Sequence, residues 1–463
     1  MSLSLKPALG KSAVEKIHSH SLDILEKVGI CYNTPKALDV LRRMNCHVDY
    51  ERNWASIPRE VVEWAIDQAP REVRLEARDP DREVRLDGTR PHHTTDSQGT
   101  RAMDFNTGRV HPSTLADLET GLRLADALEH AEIISVMVAA GDVPAPIRNL
   151  QHFASAFKAT SKPVRTSVLD AAYIPYILEM VSIVRGGADF RPIFSTVDCT
   201  ISPLMHDGRM TESCMELARL EVPIMLLPMP LAGGNSPVTI AGTILLHNTE
   251  FLSGLVLFQA VKPGAPVIYG TVASQLDMRT GRYGGSADGY GFGPALCAMA
   301  RRYDLPVNIN GLATASDNLD VQYGHEATAG AMLAYLSGAD EIFSIGLLGS
   351  AQILSLDKMV IDDHFARQVE DMLASIPMSD AHLSAELIER VGIGGHFLSQ
   401  PETRDFTRRE YIPKWPPAGR TILELAHQEA LEILSKHCSP RLPDGAEQGL
   451  ASVLDRAKKA FMS

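Results

Sequence analysis

Residues 193–229 read IFSTVDCTISPLMHDGRMTESCMELARLEVPIMLLPM and hold the pattern that decides the fold. A short apolar run rich in β-branched residues, 193–199, is typical of a buried strand. Residues 210–220 have helical spacing, and a second apolar run follows at 224–229. A strand, a helix and a strand in this order predict a βαβ unit with parallel strands.

The same alternation extends on both sides of this unit. Further strands are predicted over residues 133–139, 164–168, 267–272, 307–310 and 341–345, and helices over 173–185, 241–261, 293–303 and 324–336. Seven strands spaced ~30–40 residues apart favour a (β/α)8 TIM barrel of the α/β class. An open doubly wound sheet is the alternative, but it normally carries a glycine-rich phosphate turn after its first strand, and the sequence has none. Residues 376–400 are the candidate for the eighth strand.

The pattern divides the chain into three parts. Residues 1–114 are predicted to form an N-terminal helical segment, with helices over 12–28, 35–44 and 61–68, and a small hairpin that turns at 106–108. Residues 115–400 form the barrel, which is the expected catalytic domain. Residues 401–463 form a C-terminal helical extension, with helices over 420–436 and 448–460.

Composition excludes several classes of protein. The 463 residues include 57 acidic and 44 basic side chains, for a formal net charge of −13, which argues against a nucleic-acid-binding surface. No apolar run is expected to reach the ~18–20 residues of a membrane span, and the first residues lack a signal-peptide core. The six cysteines form no C-x-x-C pair, so we expect reduced thiols and a cytoplasmic location. A homo-oligomer is also expected.

The loops at the carboxyl ends of barrel strands form the active site in this fold. No predicted strand carries a central lysine for Schiff-base chemistry, and no H-x-H, H-E-x-x-H or C-x-x-C pattern predicts a metal site. The glycine-rich segment 281–293 lacks the spacing of a phosphate cradle and is interpreted as a lid. Glycines, small residues, amides and aromatics fill the loops, which suits a reaction with little proton transfer and the close approach of a flat cofactor.

Ten short motifs, in a fixed order, cover nearly the whole chain. They are SLDILEKVGI (21–30), IPREVVEWAIDQAP (57–70), DFNTGRV (104–110), TSKPV (160–164), ISPL (201–204), GGNSPVTIAG (233–242), PGAPVIYG (263–270), DMRTG (277–281), DVQYGHE (320–326) and GGHFL (394–398). In this order the chain resembles the trimethylamine methyltransferase (MttB-like) superfamily of corrinoid-dependent methyltransferases.

The resemblance implies a TIM-barrel enzyme that moves a methyl group from a methylated amine to Co(I) of a separate corrinoid protein. The founding trimethylamine enzymes carry pyrrolysine, whereas this chain contains only the twenty standard residues. It is therefore similar to non-pyrrolysine members, which act on glycine betaine or related betaines. A quaternary ammonium already has a neutral amine as leaving group, so the enzyme must mainly position carbon against cobalt.

Candidate site residues follow from the resemblance and from the strand ends. The candidate catalytic residues are His325, Glu326 and Gln322, at the start of a helix. The candidate substrate-binding residues, chosen as aromatic faces for a cation or as polar groups, are Tyr269, Asn310, Arg279, Asp277, Phe343 and Tyr323, with Tyr290 and Phe292 as further aromatics. The residues expected to face the corrinoid are Ser202, Gly233, Gly234, Asn235 and Gly346. Packing, an ion pair or a tight turn is the structural alternative for each.

Two other functions stay open at this point. One is a barrel lyase or hydrolase that uses an unrecognised metal through Asp277, His325 and Glu326. The other is a non-catalytic family member that binds a betaine or a corrinoid. Metal analysis would support the first, and ligand binding without turnover the second.

Overall fold

The computed structural model describes residues 9–187, 191–281, 283, 291–409, 415 and 419–462. Its strands, numbered in chain order, are β1 Ile30–Tyr32, β2 His47–Asp49, β3 Trp54–Ser56, β4 Val73–Leu75, β5 Val84–Leu86, β6 His92–Thr95, β7 Arg101–Met103, β8 Val110–Pro112, β9 Ile134–Ser135, β10 Val164–Arg165, β11 Phe194–Asp198, β12 Thr200–Ile201, β13 Met205–His206, β14 Ile224–Leu226, β15 Leu231–Ala232, β16 Val267–Tyr269, β17 Ser274–Gln275, β18 Asn308–Asn310, β19 Glu341–Ile345, β20 Leu347–Leu348 and β21 Ile353–Leu354.

The α-helices are α1 Lys11–Lys27, α2 Pro35–Arg43, α3 Arg59–Gln68, α4 Leu115–Ala127, α5 Ala145–Ala159, α6 Ile174–Val184, α7 Gly208–Arg219, α8 Ile240–Val261, α9 Phe292–Arg302, α10 Val321–Ser337, α11 Leu356–Leu373, α12 Asp380–Leu383, α13 Ala385–Val391, α14 Pro401–Arg409, α15 Ile422–Lys436 and α16 Ala446–Phe461. Single 3-10 turns lie at Pro80–Arg82 and Ala171–Tyr173. The predicted α/β class is confirmed.

Eight strands pair in parallel and close into a ring, which we call the strand ring. One run of pairs is β9–β10–β11–β14–β16, and another is β18–β19–β6. Single parallel bridges, Thr94 with Ile133 and Tyr269 with Val307, join the two runs at both edges. All seven strands predicted from the apolar runs belong to the ring.

The eighth strand of the ring is β6, not a segment of residues 376–400. Those residues contain the short helices α12 and α13. The β6 sequence, His-His-Thr-Thr, is polar, so the pattern of apolar runs does not predict a strand there. The ring therefore begins before residue 115, within the part of the chain that was predicted to be N-terminal.

A hairpin covers the amino end of the strand ring, where His92 Nε2, at the start of β6, donates to the Arg85 carbonyl of the hairpin at 3.1 Å. Strands β4 and β5 pair antiparallel, and their side chains Val73, Leu75, Val84 and Leu86 are buried. They belong to one hydrophobic cluster with residues inside the ring, including Ile268. The carboxyl end is therefore the open end of the ring.

The remaining N-terminal elements pack on the outside of the ring. Strand β1 pairs with β13, and helices α1 and α3 lie against α8. Strands β7 and β8 form the predicted hairpin, and the amide of Thr107 donates to Asp104 Oδ1 at 2.8 Å in its turn. The turn closes with a hydrogen bond from the Asp104 amide to the Arg109 carbonyl at 2.8 Å, so it includes residues 106–108.

Helix α8 is an exception to the expectation that no apolar run approaches the length of a membrane span. Its 22 residues are long and apolar enough to span a membrane by length and composition. However, 83% of its most apolar window is buried in the fold, and Glu250 and His247 lie near its centre. These properties are those of the core helix of a globular domain.

Candidate functional site

A cavity of about 300 Å³ opens at the carboxyl end of the strand ring. Its lining comes from the ends of several strands and the loops that follow them. The lining residues are Asp96, Ser97, Gln98, Met229, Val272, Tyr283, Asn310, Ala313, Phe343, Ser344, Ser350, Ala351 and Gln352. This set contains one carboxylate, two aromatic rings and several amides, but no basic side chain.

Asp96 follows β6 directly and is the charged group of the cavity. It is 3% exposed, and its Oδ1 accepts a hydrogen bond from the Ser97 amide at 2.8 Å. Burial raises the pKa of the Asp96 carboxyl to about 6, although the Ser97 amide and the Lys358 ammonium act in the opposite direction. A buried carboxylate that lacks a directly paired cation favours binding of a positive ligand.

A bulge in β19 turns two side chains into the cavity. The register with β6 shifts between Phe343 and Ile345, and Ser344 has a φ of +106°. A bulge re-aims side chains at the rim of a barrel-like sheet. Ser344 Oγ donates to Asn310 Oδ1 at 2.7 Å, so the ends of β18 and β19 are fixed to each other.

The buried ammonium of Lys358 stabilises this bulge through hydrogen bonds to backbone carbonyls. Lys358 Nζ, on α11, donates to the carbonyl oxygens of Leu312 at 2.9 Å and Ser344 at 3.1 Å. It also donates to Asp362 Oδ2 at 2.6 Å, and Tyr323 Oη donates to the other carboxylate oxygen at 2.7 Å. Lys358 and Asp362 are both fully buried. The strained backbone of Ser344 is thus held by a charged side chain rather than by packing alone.

The structure separates the three candidate catalytic residues. Glu326 is buried, and its Oε2 accepts from Thr314 Oγ1 at 2.7 Å and from the Ala315 amide at 2.8 Å. It therefore shapes the loop beside the cavity. Gln322 is exposed and donates to Glu326 Oε1 at 2.9 Å. His325 is exposed on the first turns of α10, outside the cavity lining.

Asn310 and Phe343 are the two predicted substrate-binding residues that line the cavity. Tyr269 is instead fully buried, with its ring 4.0 Å from that of Phe251 and its hydroxyl donating to Asn248 Oδ1 at 3.1 Å. Its side chain points from β16 towards α8, which corrects its predicted contact with a ligand. Tyr323 is likewise buried against Asp362.

Asp277 and Arg279 lie in a turn outside the cavity lining. Asp277 Oδ1 accepts from the Arg279 amide at 2.9 Å, and Oδ2 accepts from Thr280 Oγ1 at 2.7 Å. The Arg279 side chain is 93% exposed and 3.8 Å from the Asp277 carboxylate. These contacts agree with the structural alternative, a local turn. Of the further aromatic candidates, Phe292 is buried in the core and Tyr290 lies outside the described residues.

The residues predicted to face a corrinoid form two groups. Gly233, Gly234 and Asn235 form a tight turn after β15, in which Asn235 Oδ1 accepts from the Leu231 amide at 2.5 Å. Gly233 has a φ of +84°, and Gly234 and Asn235 are exposed at the open end of the ring.

Ser202 and Gly346 make internal contacts. Ser202 Oγ donates to Glu250 Oε2 at 2.8 Å. Gly346 is buried, and its amide donates to Asp362 Oδ2 at 2.8 Å. Gly346 therefore lacks the surface that contact with a cofactor would need, which corrects that prediction.

A larger cavity, about 730 Å³, lies between α4, α5 and the loop before α16. Side chains of both signs line it, among them Glu119, Arg123, Lys158 and Arg441. It lies in the outer helical layer, away from the ends of the ring strands. We prefer the smaller cavity as the site because groups from β6, β18 and β19 converge there.

Asp96, Ser97 and Gln98 were not predicted. The polar stretch Thr94–Gly99, TTDSQG, follows β6 in the position that the βα loops of the other ring strands occupy. The sequence did carry one signal for these residues. Only seven apolar strands are predicted for an eight-stranded barrel, so an eighth strand had to lie before or after them, and this stretch lies just before the first.

The chain belongs to the trimethylamine methyltransferase (MTTB) family, whose profile matches residues 4–462. It is 29% identical to the trimethylamine methyltransferase MttB of Desulfitobacterium hafniense, over 96% of this chain and 92% of that protein. It is also 29% identical to a glycine betaine methyltransferase of the same species, over 97% of each. The chain is a methyltransferase of this family, and the predicted resemblance is confirmed.

Solved structures with the same fold include the monomethylamine methyltransferase MtmB of Methanosarcina barkeri. The TM-score is 0.55 and the identity 11%, with 100% of this chain and 88% of that chain covered. A hydroxylamine complex of MtmB gives the same TM-score at 12% identity, with 99% of this chain and 89% of that chain covered.

Proposed function

We propose that this member of the family transfers a methyl group from a small quaternary amine, glycine betaine or a related betaine, to the reduced corrinoid of a separate protein. The observation that carries the proposal is Asp96, a buried carboxylate in a cavity whose described lining has no basic side chain. The name of the glycine betaine methyltransferase to which the chain is similar supports the substrate class. The cytoplasmic location remains part of the proposal.

The cavity has the properties that bind a cation without N–H groups. Such a cation cannot accept or donate hydrogen bonds, so it is held by aromatic faces and by a negative charge at a distance. Phe343 and Tyr283 supply rings, and Asp96 supplies the charge. A volume of about 300 Å³ suits a small amine rather than a large cofactor.

The other end of a betaine is a carboxylate, which needs hydrogen-bond donors from the protein. Asn310, Gln98, Gln352 and Ser350 are polar groups of the lining that supply amide or hydroxyl hydrogens. An arginine is absent from the described lining, so recognition of the carboxylate relies on neutral donors. Because neutral donors carry no positive charge, they do not offset the negative electrostatic potential that Asp96 produces at the ammonium.

We infer that the strand ring is a (β/α)8 barrel. Its eight strands pair in parallel all the way round, and helices follow most of them on the outside. The position of the cavity at the carboxyl end agrees with the active sites of that fold. The inferred barrel spans residues 92–373, from β6 to α11.

The surface round the cavity fits a large apolar-faced cofactor carried by another protein. Exposed apolar side chains follow several ring strands and form what we call the apolar rim: Leu169, Ile201, Met229, Val238, Met278 and Val321. Exposed apolar groups gathered at one end mark a binding surface. Met229 belongs to both the rim and the cavity lining, so the two are continuous.

The rim residues and the exposed turn at Gly233, Gly234 and Asn235 are the groups we assign to holding the corrinoid and its protein. When bound, the corrinoid supplies the nucleophile that accepts the methyl group. The chain's own part is to hold the ammonium against Asp96, point one methyl group towards the rim and exclude water. No residue has to protonate the leaving group, because that group departs as a neutral amine.

The experiment mixes the purified protein with reduced cobalamin and a panel of substrates: glycine betaine, other betaines, choline and trimethylamine. Methylation is followed by the visible spectrum of the corrinoid. We expect turnover with at least one quaternary amine and none with trimethylamine, and Asp96→Asn to reduce that turnover strongly. Ser97→Ala is the matched control beside it. Activity on trimethylamine alone, or none with any quaternary amine, would contradict the proposal.

A further inference from the structure

The hydroxyl of Ser344 lies beside two of the polar groups that line the cavity. Its Oγ donates to Asn310 Oδ1 at 2.7 Å. Burial raises the pKa of the Asp96 carboxyl to about 6, and the Ser344 side chain is one of the groups that act in the opposite direction. Ser344 is itself buried, so water does not compete for these contacts. One buried hydroxyl is therefore close to both the carboxylate and an amide of the site.

This hydroxyl determines which side of the Asn310 amide is left for a ligand. A serine hydroxyl has one hydrogen, and the contact with Asn310 Oδ1 uses it. Among the described residues, this contact is the one side-chain hydrogen bond that Asn310 makes. The two hydrogens of Nδ2 are therefore left for other partners. Because Asn310 is half-buried and lines the cavity, its amide meets a ligand as a hydrogen-bond donor.

The backbone on both sides of this contact is fixed. Lys358 Nζ donates to the Leu312 carbonyl at 2.9 Å and to the Ser344 carbonyl at 3.1 Å. Leu312 follows Asn310 by two residues, and its amide donates to the Phe343 carbonyl at 3.3 Å. The amide and the hydroxyl that orients it therefore keep their positions before a ligand binds, which lowers the entropy cost of binding.

The other donors assigned to the substrate carboxylate are held less firmly. The side chains of Gln98 and Gln352 lie on exposed residues, so ordering them on binding costs conformational entropy. Ser350 Oγ donates to the Tyr283 carbonyl at 3.1 Å, a bond that a ligand would have to replace. Asn310 is therefore the donor of the lining whose orientation is already set.

A carboxylate distinguishes a betaine from other quaternary amines. It accepts hydrogen bonds and donates none, so an amide that presents Nδ2 stabilises it, whereas the same amide turned round would repel it. We propose that Ser344 is a positioning residue that determines specificity: it orients the Asn310 amide so that the cavity prefers a betaine to a quaternary amine without a carboxylate. This inference rests on the proposed function, in which the ammonium binds beside Asp96.

The test compares two ligands by isothermal titration calorimetry of the full-length protein at about pH 8, where Asp96 is ionised. Glycine betaine carries the carboxylate, and tetramethylammonium is a similar cation without it. We expect the wild type to bind glycine betaine at least about tenfold more tightly, and Ser344→Ala to reduce this ratio of affinities about 3–10-fold. Damage to the fold would weaken both ligands alike, so the ratio reports the orientation of the amide.

Three further variants separate the hydroxyl from other effects. Ser344→Gly removes the hydroxyl but suits the φ of +106°, so it should lower the ratio as Ser344→Ala does while relieving backbone strain. Asn310→Asp replaces Nδ2 by a carboxylate oxygen, which should lower the ratio at least about 30-fold without weakening tetramethylammonium. Thr271→Val is the matched control, because Thr271 Oγ1 is buried, donates to the Asn308 carbonyl and lies outside the cavity lining; its ratio should equal that of the wild type.

A ratio that either Ser344 variant leaves unchanged, or that Asn310→Asp leaves unchanged, would overturn this inference while the proposed function stands. Equal affinity of the wild type for the two ligands would do the same, as would a loss with Thr271→Val as large as that with Ser344→Ala. If the wild type bound neither ligand, the proposed function would fail together with this inference.

Discussion

Binding of glycine betaine to the cavity is expected to weaken about tenfold when the pH falls from 7.5 to 5. Burial raises the pKa of the Asp96 carboxyl to about 6, so the group is almost fully ionised at pH 7.5 and about one-tenth ionised at pH 5. In the proposed function the ammonium binds the ionised form of Asp96. Affinity should therefore fall about tenfold per pH unit below the pKa and level off above it.

The same burial affects the stability of the ligand-free protein. The folded-state pKa of Asp96 lies above the ordinary value of 3.8, so the folded state binds the proton more tightly than the unfolded chain. This contribution to stability is fully present below about pH 4 and is lost as the pH rises through about 6. The difference corresponds to roughly 3 kcal/mol, which a bound cation restores by pairing with the carboxylate.

Isothermal titration calorimetry from pH 5 to pH 8 measures this effect, because the carboxylate and ammonium of the ligand do not titrate in that range. Asp96→Asn should bind with one weak, pH-independent affinity, and Ser97→Ala should keep the pH dependence. A wild-type affinity that does not change with pH, or an Asp96→Asn variant that still shows the change, would refute the role of Asp96.

Three substitutions test other parts of the site. Lys358→Met should reduce the free energy of unfolding in urea by about 3–5 kcal/mol because it leaves the buried Asp362 carboxylate without its counter-ion. Lys358→Met/Asp362→Leu should recover much of that loss, and a single-variant loss below about 1 kcal/mol would contradict this. Phe343→Ala should weaken betaine binding about 5–30-fold in calorimetry, while Phe343→Tyr keeps it, since both aromatic rings offer a face to the cation. His325→Ala should leave betaine affinity in calorimetry unchanged, because the imidazole is exposed outside the cavity lining; a weakened affinity would return His325 to the substrate site.

The seven apolar ring strands were predictable because parallel strands covered on both faces form continuous apolar runs. Strand β6 was not, since its His-His-Thr-Thr sequence lacks that run. Its backbone bonds to β19 and to Ile133 define it as a strand, and such long-range pairing leaves no mark on the local sequence.

The site was predictable in part for a related reason. Asn310 and Phe343 end their strands, so their position follows from the strand prediction. Tyr269 also lies at a strand end, but a run buried on both faces does not show which side chains point inward. Its contact with Phe251 on α8 resolves that choice. Asp96 was missed together with the strand that carries it.

The β4–β5 hairpin covers the amino end of the strand ring, so the cavity opens to solvent at the carboxyl end. Val73 and Leu86 pack with residues of the ring at the far end, so the amine and the macromolecular acceptor of the proposed reaction both reach the cavity from the carboxyl end. In that reaction the small molecule has to bind first, and the acceptor then covers it. Initial-rate kinetics should accordingly show ordered addition, with the corrinoid protein inhibiting at high concentration when the amine is scarce; parallel double-reciprocal lines would contradict this. For the proposed reaction, a hairpin that contacts neither reactant thus determines the order in which the two bind.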